Sequence, residues 1–258
     1  MKRYDQHMHT HFSPDSEETL ANYLKISQGT LVTTEHLDFH DFYNNEQDTV
    51  LDYDAYSATI AQLEATSGRR IRKGLEVGFT VESKEKILAY LEGKEFDVLL
   101  LSVHQNGRYD YLQPVVKKKE VRQVMHEYFG LLLIAIQHFP QANILSHFDY
   151  GIRLFDVTLE EFQKHKTVLT AILKRMKTNK IALELNTRSM YEYGNVALYE
   201  QMIEWYVTMG GQRFSIGSDA HSVAHYGFHF KDAIALLKKH CVTKIAVYNQ
   251  QHAIFKPI

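Results

Sequence analysis

Seven short apolar runs of strand length alternate along this 258-residue chain with segments of helical period, and nearly every run ends in a histidine or a carboxylate. The runs cover residues 3–9, 31–36, 70–79, 97–104, 143–147, 181–186 and 213–218. Helical spacing between them predicts helices over 19–28, 53–67, 82–92, 117–138, 159–179 and 197–209, with a last helix at 230–240. Continuous apolar strands separated by amphipathic helices imply a parallel sheet covered by helices. An open doubly wound sheet and a barrel are the two architectures that fit. An open sheet collects its functional groups at one switch point, whereas a barrel draws them from the C-terminal ends of many strands onto one face. The spread of histidines and carboxylates therefore predicts a distorted (β/α)7 barrel, related to the (β/α)8 type but one unit short, with a metal site at the C-terminal ends of the strands.

Composition narrows the class. A hydrophobic content of 45% and a charged content of 23% are ordinary for a globular protein, and the few Gly and Pro residues mark no linker, so residues 1–258 are expected to form one domain. The formal net charge is -2. The one basic run, Lys117 to Lys119, fits a solvated helix start, so no nucleic-acid surface is expected. A single cysteine, Cys241, excludes a disulfide framework. The start of the chain shows no charged-then-apolar leader, and the longest apolar stretch, 129–136, is far below the roughly 20 residues that span a bilayer. A cytoplasmic protein without membrane contact is predicted; oligomeric state stays open.

The strand ends carry the chemistry. His7-Met8-His9 places two imidazoles on one side of a strand, and His11 continues the alternation. Asp15 lies in Ser-Pro-Asp-Ser, where Ser13 or Ser16 can cap the following helix and leave Asp15 for a metal. The second run closes on Glu35-His36, with Glu35 facing away from His36, and continues into the polar loop Leu37-Asp38-Phe39-His40. Glu76 is a carboxylate inside an apolar strand, flanked by Gly74 and Gly78. An unpaired buried carboxylate is costly, so a salt bridge or a bridging metal is required, and the glycines admit close neighbours. His104 and His147 end two further runs, and Asp219-Ala-His221 repeats the two-ligand pattern of His7 and His9. Imidazole with carboxylate suits zinc, manganese and iron. Arg153 and Arg188 follow the fifth and sixth runs; each fits either a surface salt bridge or bidentate phosphate recognition.

In number and order, these motifs resemble the polymerase-and-histidinol-phosphatase (PHP) family of metal phosphoesterases. The similarity runs from His7 to His221, through a Thr-Glu-His, a Gly-Leu-Glu, a Ser-Val-His and a Ser-Asp-x-His. Within the family, the stretch from His7 to Glu18, Asn186-Thr-Arg188 and the segment His147 to Arg153 resemble the stand-alone histidinol-phosphate phosphatases. Asp15 stands where some relatives carry histidine, and 105–114 is shorter than the substrate-covering loop of other members. The resemblance implies three divalent metal ions. His7, His9, Glu76 and Asp219 would hold the first. Glu76 would bridge to a second, completed by His104 and His147, and Asp15, His36 and His221 would hold the third.

The expected reaction is metal-assisted hydrolysis of a small phosphate monoester, with L-histidinol phosphate as first choice, in histidine biosynthesis. Glu76 and Asp219 would be catalytic through the metals, and Arg153 and Arg188 would neutralise the phosphoryl oxygens. His40 or the third ion would serve the leaving group. Glu184 or a loop carboxylate would pair with the substrate ammonium. The rival expectations are a nucleotide or sugar phosphate as substrate, a nuclease, and a metal-binding protein without turnover.

Overall fold

The computed structural model describes residues 4–258. Its main sheet has seven strands: β1 (Leu31–Asp41), β2 (Gln47–Thr49), β3 (Ile71–Gly78), β4 (Val98–Ser102), β5 (Ile144–Leu145), β6 (Ala182–Asn186) and β7 (Phe214–Gly217), in the order β2-β1-β3-β4-β5-β6-β7. Every pairing from β1 to β7 is parallel, and only the short β2 runs antiparallel, folded back on β1. Helices α1 (Leu20–Ile26), α2 (Tyr53–Ser67), α3 (Lys84–Leu91), α4 (Val121–His138), α5 (Leu159–Gln163), α6 (Lys166–Asn179), α7 (Thr187–Tyr191), α8 (Val196–Thr208) and α9 (Phe230–Lys239) cover it. Parallel strands need crossovers of this kind, and the helices bury the stripes that their period provides. In α9 these are Phe230, Ala233, Ile234 and Leu237, spaced three and four residues apart.

The apolar pattern predicts a strand over 3–9, and the structure differs. Arg3 lies outside the described residues. Residues 5–9 form a single bridge, Met8 to Ala220, rather than a ladder. The segment still joins both margins of the sheet. Gln6 N donates to Ile216 O, Asp219 N to His7 O and His9 N to Ala220 O beside β7, while Thr34 N of β1 donates to Met8 O. The ring thus closes through an irregular segment, as a distorted barrel.

Two hairpins go beyond the predicted elements. β1 continues past His36 to Asp41 and turns into β2 through Asn45 and Glu46, both with positive φ. At the chain's end, β8 (Lys244–Asn249) and β9 (His252–Pro257) form an antiparallel pair. Ala246 and Tyr248 of β8 pack with Val32, Val98, Leu100, Ile144 and Ala182 in a cluster separate from the larger core. These strand residues lie towards the N-terminal ends of β1, β4, β5 and β6, so the hairpin seals the barrel at the end opposite the histidines. The predicted helix 159–179 is two helices. Thr158 and Glu161 form a reciprocal capping box that starts α5, and the helix breaks at Lys164 and His165 before α6.

Candidate metal centre

The parallel register sets the site. His36 of β1 pairs in register with Glu76 of β3, and Glu76 with Leu100 of β4, so the polar strand ends stand side by side. Glu76, only 1% exposed, is the hub. Its Oε2 lies 3.2 Å from His7 Nε2 and 3.3 Å from both His9 Nε2 and His36 Nδ1. Its Oε1 lies 2.7 Å from His147 Nε2 and 3.4 Å from His104 Nε2 and accepts a hydrogen bond from Ser102 Oγ. Asp219 Oδ1 is 3.7 Å from Nε2 of His7 and of His9. Asp15 Oδ2 touches His221 Nε2 at 2.8 Å and His36 Nε2 at 3.3 Å. All nine ligands expected from the sequence therefore gather in one place.

Among the described residues, four overlapping sets have donor atoms mutually within 4.8 Å: His7 with His9 and Glu76; His7 with His147 and Asp219; His36 with Glu76 and His104; and His9 with Asp15, His36 and His221. His7, His9, His36 and Glu76 each belong to two sets, whereas only Glu76 was expected to be shared, so the grouping differs in detail from the three-way division expected. Divalent cations fit this donor set on direct grounds. His7 Nε2, His9 Nε2, His36 Nδ1, His147 Nδ1, Asp15 Oδ1 and Glu76 Oε2 are buried without a hydrogen-bond partner. Each such atom costs about 1–3 kcal/mol if left bare. Six at one focus, mixing imidazole nitrogen with carboxylate oxygen, is the donor chemistry of zinc, manganese and iron sites.

The electrostatics follow from burial and mutual charge. Burial works against charge on His7, but the carboxylates of Glu184, Glu76 and Asp219 outweigh it and hold the imidazole well above its ordinary pKa. Asp15, Asp38 and Glu76 do the same for His36. His104, beside Asp38 and Glu76, is raised to about 10 despite its burial. His9 is the opposite case. Burial and the neighbouring His36 and His221 rings, stacked on it at 4.3 and 4.4 Å, lower it to about 3. Burial would raise the carboxyls of Glu76 and Asp219, yet the surrounding imidazoles, with Arg153 and Arg188 near Asp219, keep both well below the carboxylate range.

A second layer aims the ligands, as metal sites require. Glu184 Oε1 accepts from His7 Nδ1 at 2.8 Å and so turns Nε2 inward, while Oε2 accepts from the His147 backbone N–H (2.8 Å) and Asn186 Nδ2 (3.1 Å). Asp38 Oδ1 does the same for His104 Nδ1 at 2.8 Å. Glu35, facing away from His36 as anticipated, receives hydrogen bonds from Thr10, Ser13 and Thr33, and Ser13 Oγ meets His9 Nδ1 at 3.2 Å. Two glycines make the contacts possible. A Cβ on Gly78 would overlap Asp38 Oδ1, and one on Gly217 would overlap Glu184 Oε1 and His7 Cβ. Asp219 is held at φ 54, a left-handed conformation that Asp tolerates better than most residues. Asp38 escaped sequence reasoning as a functional residue. The signal was its position two residues after His36 on a strand, which places both side chains on one face.

The ligands open onto a cavity of about 240 Å³ whose walls include Asp15, His36, Asp38, His104, His147, Arg153, Arg188 and His221. Arg153 is buried, bonding through Nε to Ser189 Oγ (2.7 Å) and through Nη2 to Asp219 Oδ2 (3.1 Å) and Asn186 Oδ1 (3.3 Å). Asn186 also caps α7 by accepting from Ser189 N, which sets Arg188 at the start of that helix. Arg188 Nη1 lies 3.2 Å from His221 Nδ1, and its Nε donates to Glu192. Two residues given substrate roles are placed elsewhere. Glu184 is 1% exposed behind His7, with both oxygens engaged, and is not on the cavity wall. His40 is exposed, with its ring against Phe42 at 5.0 Å, and is not among the wall residues either. His11 is exposed against Phe12, and Asp149 turns away to bind Asn195 and Tyr199 of the α8 region.

Comparison with known proteins agrees with this geometry. The histidinol-phosphatase of Lactococcus lactis subsp. lactis is 30% identical over 96% of this chain and 95% of its own. A probable histidinol-phosphatase of Clostridium acetobutylicum is 26% identical over 90% of this chain and 92% of its own. The crystal structure of the Lactococcus lactis histidinol phosphate phosphatase, complexed with zinc, L-histidinol and phosphate, superposes with a TM-score of 0.87 at 25% identity, over 98% of this chain and 99% of that one. The model of the PHP domain matches residues 5–188, and the chain belongs to the PHP domain family.

Proposed function

We propose that this protein is a metal-dependent phosphomonoesterase that hydrolyses L-histidinol phosphate to L-histidinol and phosphate, a step of histidine biosynthesis. One observation carries the proposal: nine buried or half-buried metal-type ligands, several with unpartnered donor atoms, gather at one focus, and seven of them line one cavity with two guanidinium groups. The Lactococcus protein, which binds zinc, L-histidinol and phosphate, supports the choice of substrate.

His7, His9, Asp15, His36, Glu76, His104, His147, Asp219 and His221 would hold three divalent ions, of zinc, manganese or iron. Such ions, when bound, supply Lewis-acid polarisation of phosphoryl oxygens and a water of lowered pKa. The chain's own residues do the rest. Arg153, fixed by Ser189, Asn186 and Asp219, presents a preset donor edge to the phosphoryl group. Arg188 adds a second positive charge beside His221. Neither guanidinium can lose its proton near neutral pH, so both meet the negative charge that shifts between phosphoryl oxygens in the transition state. Glu76, surrounded by imidazoles, stays ionised and orders them about one centre. Glu184 and Asp38 hold His7 and His104 in the orientation that points Nε2 inward.

A single unit spanning residues 1–258 carries the activity in this proposal, and the lone exposed Cys241 suits a reducing cytosol. Among the described residues no helix is long and apolar enough to cross a membrane. The test is phosphate release from L-histidinol phosphate beside nucleotide and sugar phosphates, with and without added Zn²⁺ or Mn²⁺. Metal-dependent release with a strong preference for L-histidinol phosphate is expected. Equal rates across the panel would refute the substrate, and no release from any ester would refute the hydrolase.

A further inference from the structure

The cavity is charged asymmetrically beyond what the ligands require. Asp15, Asp38, Glu76 and Asp219 each have a histidine or arginine within 4 Å. Two other wall carboxylates, Asp41 and Asp110, make no ion pair among the described residues. Both are nonetheless held firmly by neutral donors. Asp110, 8% exposed, accepts from Leu112 N at 2.6 Å, and the Tyr150 hydroxyl lies 3.3 and 3.2 Å from its two oxygens. Asp41 accepts from Tyr43 N at 2.8 Å and from Thr49 Oγ1.

They come from two segments that the fold staples together. Gln105 and Asp110 bridge across the loop after β4, and Gln105 Nε2 donates to Phe39 O (3.0 Å) and His40 O (2.8 Å) at the end of β1, immediately before Asp41. Leu112 and the rim residue Tyr43, 66% exposed, add apolar surface beside the two carboxylates. Fixed, partly desolvated carboxylates without a direct ion-pair partner are unfavourable unless a ligand supplies one, and the His104 imidazole only partly offsets the burial of Asp110. A ligand that offers a phosphate to Arg153 and Arg188 and a cation to Asp110 and Asp41 satisfies both groups of the same cavity wall.

We infer that Asp110 and Asp41 form a cation subsite that receives the ammonium or imidazolium of the substrate, with Leu112 and Tyr43 against its ring, and so select phosphorylated amines over neutral phosphate esters. This inference rests on the phosphomonoesterase function proposed above and replaces Glu184 with a loop carboxylate as the partner of the substrate's amine.

The test is calorimetric titration of L-histidinol into the zinc-loaded protein and into its Asp110→Asn and Asp41→Asn variants, with inorganic phosphate as a second probe and zinc content measured throughout. Asparagine keeps the size of each side chain and can still accept from Leu112 N or Tyr43 N. L-Histidinol should bind about 10-fold or more weakly to each variant, as expected when a charge-assisted hydrogen bond becomes a neutral one. Phosphate affinity should change by less than about 2-fold. The ratio of kcat/KM for L-histidinol phosphate to that for p-nitrophenyl phosphate should fall in parallel. Unchanged L-histidinol affinity, an equal loss for both probes, or no L-histidinol binding by the parent protein would overturn the subsite. Hydrolysis of L-histidinol phosphate with subsite variants that bind L-histidinol normally leaves the hydrolase standing and the subsite refuted. Selective loss of L-histidinol binding in a protein that releases no phosphate gives the reverse.

Discussion

Glu184→Gln tests whether the layer behind the ligands is needed, because an amide cannot satisfy the three donors that the carboxylate serves. Oε1 accepts from His7 Nδ1, and Oε2 from the His147 backbone N–H and Asn186 Nδ2. If the amide oxygen faces His7, its NH2 group confronts two other donors, and the buried His147 N–H loses its acceptor at a cost of about 1–3 kcal/mol. If the NH2 faces His7 instead, it donates to Nδ1, the ring proton moves to Nε2, and the lone pair aimed at Glu76 and Asp219 is lost. The side chain cannot retreat, because it lies against Gly217 so closely that a Cβ there would overlap it. The first outcome lowers the Tm by roughly 2–12 °C, at about 2–4 °C per kcal/mol for a chain of this size. The second weakens metal binding by roughly 10–100-fold, the usual penalty for losing such a partner. Metal affinity by chelator competition and Tm by calorimetry read the two separately. A variant within about 2-fold in affinity and 1 °C in Tm of the parent would refute the reasoning.

Glu76→Gln removes the charge shared by five imidazoles. Turnover should fall below detection, and the metal retained after gel filtration should drop by about one equivalent or more; an active variant with full metal content would refute its central role. Arg188→Ala should lower kcat/KM by roughly 10²-fold while metal content stays unchanged, measured by phosphate release and elemental analysis; concurrent metal loss would place Arg188 in support of His221 instead. Proton release on metal binding follows from the raised pKa values of His7, His36 and His104. The raised values favour protons on these rings, which metal ions must displace, so loading should release protons, and affinity should fall as pH is lowered. Calorimetry in buffers of different protonation enthalpy checks this, and heats independent of buffer would contradict it.

The sequence was most legible where one side chain reports its own environment. A carboxylate within an apolar strand, such as Glu76, or a histidine closing one, such as His104, is costly to bury without a cation or a charged partner beside it. The parallel sheet likewise followed from strand and helix periods, and the spread of histidines and carboxylates over many strand ends favoured the barrel over an open sheet. What escaped depended on distant partners. Asp110 reads as an ordinary loop acid until Gln105 draws its loop onto β1. Glu184 reads as a substrate contact until Gly217 brings β7 against it. The β8–β9 hairpin turns through Gln250 and Gln251, both at positive φ, and lacks the Asn-Gly or Asp-Gly signature that announces such turns. The first strand run failed as a ladder because the segment's main-chain bonds to β7 and β1 are few and irregular.

The seal between the chain's two ends has a kinetic consequence. Gln6, beside the first two ligands, bonds through its side chain to Ser215, Ala246 and Tyr248, residues 209 to 242 positions away. The segment that carries His7 and His9 therefore gains the last of its anchors only when the final hairpin has been synthesised and docked. Contacts of such long range close late and slowly. The centre assembles after the rest of the sheet, and a chain still emerging from the ribosome holds its earliest-made histidines without the frame that makes them a site.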